Sequence, residues 1–213
     1  DNKEKIINLL KSKTKLYARK LQIKEITKQD ANKFLNQYHL QNSCYGNSVN
    51  LGLYQNKELI QVMTFGKPRY NKNYQWELLR LCTKSEYYVV GGAERLFKHF
   101  IKTQNPESII SYCDISKFTG DVYKRLNFRL VNQTKPQKIW SSHTKYITDN
   151  LLRQRGADQL IGTHDGKGTD NEEIMIREGW RPVYDCGQKV FVWLGQKFKL
   201  DTMGVESREV EHE

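Results

Sequence analysis

Acid is what this sequence is short of: 24 Asp and Glu stand against 35 Lys and Arg, leaving a formal charge of +11 over 213 residues. A deficit of that size makes an anionic partner the first expectation. Nucleic acid leads, because Lys and Arg that neutralise phosphates give affinity independent of sequence; a lysine-rich, merely solvated surface is the competing explanation. Paired cysteines are missing too. Cys44, Cys82, Cys113 and Cys186 lie far apart without CxxC spacing, which argues against a zinc site or a disulfide frame and reads as reduced thiols in a cytoplasmic protein. No metal site is expected. The chain has neither an apolar run long enough to span a bilayer nor a signal peptide, so no membrane partner is expected. The stretch THDGKG lacks a complete P-loop pattern and reads as a surface loop. The missing initiator Met reads as a fragment or trimmed chain.

What remains is enough apolar sequence for one sizeable domain with an appendage. Its organising stretch runs from Glu77 to Phe128. An apolar strand leads to Val90-Gly91-Gly92-Ala93 and into a helix beginning near Glu94. SIISYC then reads as a buried strand closed by Asp114, and a short helix carrying Tyr123 ends at Asn127-Phe128. Two φ-permissive residues at a helix mouth leave backbone N–H groups unpaired and aimed at a point where the helix dipole favours negative charge, so a pyrophosphate can sit there. Two glycines also suit a tight turn that binds nothing.

Upstream, residues 1–16 read as a basic amphipathic helix, a linker or the tail of a missing domain. YARKLQIKEI (Tyr17 to Ile26) reads as a strand whose Arg19, Lys20 and Lys24 could follow phosphates or simply protect an edge. Thr27 is the expected N-cap of a helix to about Tyr38, followed by His39 in a polar loop. VNLGLY and ELIQVMTF form a hairpin, and a basic loop with Lys67 and Arg69 leads to the next strand. Arg80, inside an apolar strand, needs a partner if buried, with Glu77 or a ligand phosphate as candidates. After Phe128 a strand is interrupted at Lys135-Pro136. An insertion at about 149–179 carries Arg153, Arg155 and Lys167, and Val183 to Trp193 reads as a closing hairpin turned at Gly187-Gln188. Residues 200–213 form an acidic, loosely held tail.

The order of strand, VVGGA, helix, SIISYCD and VYKRLNF resembles the GNAT N-acyltransferase superfamily, with the superfamily's basic-rich loop reduced to VVGGA. The wider set YHLQ, LGLY, TFGKPR and LLRL resembles Mom-type phage DNA-modification proteins. It also resembles a domain on the C-terminal side of homing-endonuclease-like nucleases, whose linker pattern appears here as KSKTKLYARKLQIKEI. No nuclease motif lies upstream.

These resemblances imply a GNAT-like α/β domain over 17–199, a mixed curved sheet flanked by helices. They imply acetyl-CoA or a related acyl-CoA held by Val90, Gly91, Gly92, Ala93 and Arg80, with catalysis by His39, Asp114 and Tyr123. DNA is the implied partner, met by Arg19, Lys20, Lys67, Arg69, Arg153 and Arg155. Each residue has a plainer alternative: a structural histidine for His39, a loop cap for Asp114, a core aromatic for Tyr123. A transferase acting on an amine of DNA and a DNA-targeting domain without chemistry are both compatible with the sequence.

Overall fold

The computed structural model describes residues 2–143, 145–163 and 170–195. The expected tail at 200–213 and Lys167 lie outside them. In chain order the elements are α1 (Asn2–Leu10), β1 (Thr14–Tyr17), a 3-10 turn (Ala18–Lys20), β2 (Gln22–Glu25), α2 (Lys28–Tyr38), β3 (Asn47–Gln55), β4 (Glu58–Gly66), β5 (Trp76–Thr83), β6 (Tyr87–Val90) and α3 (Gly92–Gln104). There follow β7 (Ser108–Asp114), α4 (Asp121–Arg125), β8 (Arg129–Gln133), β9 (Lys138–Ser142), β10 (Lys145–Thr148), α5 (Asp149–Arg155), α6 (Ala157–Ile161), α7 (Asn171–Arg177), β11 (Arg181–Tyr184) and β12 (Gln188–Leu194). The described residues divide into two compact units. The first comprises 2–112, 120–131 and 190–195, and the second 113–119, 132–143, 145–163 and 170–189.

The first unit is built on a seven-stranded sheet in the order β2-β3-β4-β5-β7-β12-β8. From β2 to β5 neighbours are antiparallel, and β5 pairs with β7 in parallel through the crossover that contains α3. The β3–β4 hairpin turns at Asn56, whose φ of +54° Asn tolerates better than most residues. One face of this sheet is covered by α2, whose Ala31, Phe34 and Leu35 pack on Val62 and Cys82. Thr27 starts that helix as expected, its hydroxyl accepting from the Asp30 N–H at 3.1 Å. The other face belongs to α3: Phe100 stacks on Phe65 with centroids 3.5 Å apart, and Phe97 lies against Phe65, Phe128 and Trp193. Period-two alternation explains the division, since 62 and 65 point to opposite faces of β4. A mixed sheet with a crossover helix between two parallel central strands and helices on both faces is a GNAT-like α/β fold.

Two details position the site. Opposite Thr64 the β4–β5 register jumps from Arg80 to Leu78, so Leu79 is the extra residue of a bulge. Just beyond, β5 and β7 pair at two rungs, Trp76 with Ile109 and Glu77 with Ile110. β5 nevertheless runs on to Thr83 and β7 to Asp114, so the two strands part after Glu77.

The second unit has its own three-stranded antiparallel sheet, β10-β9-β11. Its core gathers Trp140, Leu152, Ile174, Met175 and Trp180. Thr148 and Asp170 cap α5 and α7 through their side chains. The insertion expected at 149–179 lies inside this unit. Among the described residues no helix is long and apolar enough to cross a membrane.

Three sequence expectations need correction. The helix expected over 1–16 stops at Leu10. The strand expected from Tyr17 to Ile26 is broken by the 3-10 turn, in which Leu21 N–H bonds to Ala18 O at 2.9 Å and both side chains are buried; residues three apart reach one face only in such a turn. The arms of the expected hairpin at Val183 to Trp193 belong to different sheets, β11 to the small one and β12 to the large one. Asp185 explains the break, because its Oδ1 accepts from Gly187 N–H and Gln137 N–H at 2.8 and 2.7 Å, fixing a loop where a hairpin turn would be.

Asn127 occupies the left-handed region at φ +61° just after α4, a conformation that Gly adopts without strain. We expect Asn127→Gly to keep or slightly raise stability in urea titrations and Asn127→Ala to lose about 1 kcal/mol. Equal midpoints for the two variants would contradict the assigned backbone conformation.

Candidate functional site

On the α3 face, β6 ends at Gly91, whose φ of +72° turns the chain into the helix with no side-chain cap, leaving the first α3 amides to an outside acceptor. Gly92 is required for a different reason. A Cβ there would lie 2.1 Å from Gln61 Oε1 and 2.8 Å from Val89 Cγ1. Gln61 is buried, donates through Nε2 to Thr83 Oγ1 at 2.8 Å and has no conventional partner at Oε1. The Gly92 Cα–H points at that oxygen, a weak donor that accounts for it. Beside this helix mouth is a cavity of about 600 Å³ lined by Tyr17, Arg19, Gly91, Arg95 and Lys98 among others. Arg95 is itself anchored by donating to the Ala18 carbonyl. Uncapped amides and three cations, Arg19, Arg95 and Lys98, meet there, with the Glu94 carboxylate also on the cavity wall.

Tyr123 is on the same face, at the point where β5 and β7 part. Its ring stacks on Phe191 with centroids 4.7 Å apart and meets Phe128 edge-on. Ser111 Oγ is 2.8 Å from the Leu78 carbonyl and 3.0 Å from the Tyr123 phenol oxygen. A carbonyl only accepts, so the Ser111 proton is committed to Leu78 and the phenol donates to Ser111. Ser111 thereby satisfies a carbonyl next to the last shared rung and positions the tyrosine. A serine inside an apolar strand was the signal available for it in the sequence.

The opposite, α2 face holds His39 and Arg80. His39 is the C-cap residue of α2, and its carbonyl accepts from Lys5 Nζ at 2.9 Å. Gln41 N–H donates to His39 Nδ1 at 3.0 Å, which places the ring proton on Nε2. Burial, reinforced by the Arg80 and Lys5 charges, pushes the imidazole pKa down to about 3. At neutral pH this ring is an uncharged N–H donor whose other nitrogen is already engaged. Arg80 donates from Nε to Asn42 O at 3.1 Å and from Nη1 to Leu79 O at 2.9 Å. Alternation along β5 puts it across the sheet from Gly91 and Gly92, so the structure does not bring it together with the glycine turn.

Glu77 does not serve Arg80. It is fully buried and holds Arg69 through that residue's N–H at 2.8 Å, Nε at 3.0 Å and Nη2 at 2.6 Å. Arg69 is thus bound to the protein's own carboxylate, whereas Arg19, Lys20 and Lys67 are exposed.

In the second unit, Asp114 is engaged locally. Its Oδ1 accepts from Ser116 N–H and Oγ–H at 3.0 and 2.5 Å, and its Oδ2 pairs with Lys117. Partial burial pushes its carboxyl up, but the bonds from Lys117 and Ser116 outweigh this and hold it below the ordinary carboxylate range. Arg155 is exposed, and Arg153 pairs with Asp149 at 2.7 Å.

Residues 20–181 match the Mom protein family. The chain belongs to that family. No curated protein matches it in sequence. Among solved structures, this Mom family member is similar to a Bacillus subtilis acetyltransferase in complex with CoA, with 13% identity, 83% of this chain and 99% of that chain covered, and a TM-score of 0.45. A GNAT family acetyltransferase from Elizabethkingia anophelis with acetyl-CoA bound shows 12% identity, coverage of 83% and 99%, and a TM-score of 0.43. For a Streptococcus pneumoniae acetyltransferase of the GNAT family the values are 11%, 82% and 99%, and 0.48.

His39 makes the pH dependence of stability explicit. Its folded pKa of about 3 lies below the ordinary value of 6.5, so the unfolded chain takes up a proton that the folded one refuses. Stability is therefore complete above about pH 6.5 and is lost as pH falls toward 3, by about 2–3 kcal/mol between pH 7 and 4.5. Urea titrations at those two pH values should show a smaller loss for His39→Asn, whose Oδ1 can keep the Gln41 bond, than for the parent chain. An equal loss would mean that His39 titrates normally.

Proposed function

We propose that this Mom family protein modifies DNA by moving an acyl-type group from a CoA-like donor to an exocyclic amine of a base. The observation that carries the reading is the parting of β5 from β7 with an uncapped α3 mouth and Tyr123 on one face and a cationic, carboxylate-poor face on the other.

Gly91, Gly92 and Ala93 offer backbone N–H groups to the donor's pyrophosphate, backed by Arg95 and Lys98. When bound, an acyl-CoA supplies a thioester carbonyl activated for attack and a thiol as leaving group. With the C–N bond forming as the C–S bond breaks, Tyr123 would turn the proton it otherwise donates to Ser111 toward the leaving sulfur and regain one from solvent. Of the two sequence candidates for taking the amine's proton, His39 already uses Nδ1 as an acceptor and its Nε2 carries a proton. Asp114 has both oxygens engaged by Ser116 and Lys117, so the amine's proton leaves to solvent water.

DNA is held by charge. Lys11, Lys13, Lys15, Arg19, Lys20 and Lys24 are all exposed, and no acid occurs between Lys11 and Lys24. None of these six ion-pairs with an acid among the described residues. Lys15 and Arg19 flank the exposed Tyr17 ring at 5.4 and 5.6 Å, which adds a stacking surface to the strip.

Calorimetric titration with acetyl-CoA should show micromolar binding that Gly92→Val abolishes and Tyr123→Phe preserves, while Tyr123→Phe removes transfer to DNA. Absence of cofactor binding alongside intact DNA binding would instead leave a targeting domain without chemistry. Replacing Lys13, Lys15, Arg19 and Lys20 by Gln should reduce the slope of log affinity for duplex DNA against log salt by about three. An unchanged slope would remove this strip from the interface.

A further inference from the structure

We propose that Arg80, with Thr64 beneath it, forms an anion subsite on the acceptor face of the sheet, and that its ligand is a phosphodiester of the DNA strand being modified. This rests on the DNA-modification reading and specifies where that DNA is gripped beside the reacting base.

Arg80 is half-buried in the middle of a sheet, where a guanidinium ordinarily has a carboxylate beside it. Here none is supplied. The nearest candidate on its own strand, Glu77, is taken up by three bonds from Arg69, and no other acid ion-pairs with Arg80 among the described residues. Two of its nitrogens donate to backbone carbonyls, Asn42 O and Leu79 O, which fix the plane of the guanidinium without neutralising it. The third, Nη2, has no acceptor among the described residues.

Thr64 is the independent observation. It pairs with Arg80 across the β4–β5 ladder and shares its face; it is 0% exposed, and its Oγ1 has no hydrogen-bond partner. A buried, unpartnered hydroxyl opposite an uncompensated guanidinium is a pair of donors arranged for one anion. The surrounding charge agrees. Arg69 and Glu77 near Arg80 offset each other, Lys5 reaches the same loop through His39 O and Asn42 Oδ1, and His39 is held neutral. On the other face, the α3 mouth is a separate anion site, so the two ends of a transfer reaction are held by separate cationic groups on opposite sides of the sheet.

Two measurements test the assignment. Thermal unfolding in sodium phosphate and in sodium chloride of equal ionic strength should give a phosphate-dependent rise in Tm of a few degrees for the parent chain and a clearly smaller one for Arg80→Gln, the α3 mouth accounting for what remains. Oligonucleotides in which successive phosphates are replaced by neutral methylphosphonate should contain one position whose replacement weakens binding several-fold in the parent chain and has no effect in Arg80→Gln, the non-additivity that marks a direct contact. If Arg80→Gln does not fold, Arg80→Lys is compared; it keeps the charge but loses the two-point geometry, and the same position should then show a reduced effect. A phosphate response unchanged in the variant, or methylphosphonate effects that add at every position, overturns the subsite while leaving DNA binding through the Lys11–Lys24 strip intact. A phosphate response that depends on Arg80 in a protein with no DNA affinity overturns the phosphodiester assignment and the DNA reading together.

Discussion

A carboxylate shut away from water must be compensated where it stands, and in this protein that carboxylate is Glu77. It occupies the last rung at which β5 and β7 still pair, with its side chain wholly buried. Left alone there, an ionised carboxylate would cost several kcal/mol. Arg69 meets it with two side-chain donors and its own backbone N–H, so one residue offsets the charge and at the same time pins the 67–70 loop to the sheet. The pair fixes where the parallel ladder ends. Everything next to that point follows from it: Ser111 takes over the Leu78 carbonyl, Tyr123 is held by Ser111, and the bulge at Leu79 sets the face to which Arg80 points.

The two faces of the parted strands differ in electrostatic character. On the α3 side the positive end of a helix is presented through backbone amides, which cannot lose their protons or rotate away. On the α2 side the charge is carried by side chains: Arg80 and Lys5 are fixed by carbonyl and amide oxygens, and Arg69 by Glu77. His39 between them stays neutral because burial and two neighbouring cations oppose its protonation. A neutral imidazole in a cationic surround can donate a hydrogen bond at any physiological pH without adding to the local charge.

Much of the fold was legible because it depended on local chemistry. Thr27 at a helix start, the Asn56 turn, the paired glycines before α3 and the apolar run of β7 each declare themselves within a few residues. The site was legible only in part, and the failures have physical causes. The resemblance grouped Arg80 with the Gly91–Gly92 turn, but strand alternation along β5 sends its side chain to the other face. The Leu79 bulge has no composition signature. Ser111 and Leu78 are 33 residues apart, and Lys5 and His39 are 34 apart; contacts of that span appear only once the sheet exists. The break between β1 and β2 was missed because YARKLQIKEI alternates well enough for a continuous strand, whereas burying both Ala18 and Leu21 requires a turn.

The parallel pairing of β1 with β6, from Thr14 with Tyr87 to Tyr17 with Val90, has a consequence for where the domain begins. The match to the family starts at residue 20, after β1 has ended. A protein cut at that boundary would keep every family residue yet leave Tyr87–Val90 as a bare edge of unpaired amides and carbonyls with Val89 and Val90 along it, a template for association between molecules. The segment ahead of the family match therefore carries the strand that covers this edge.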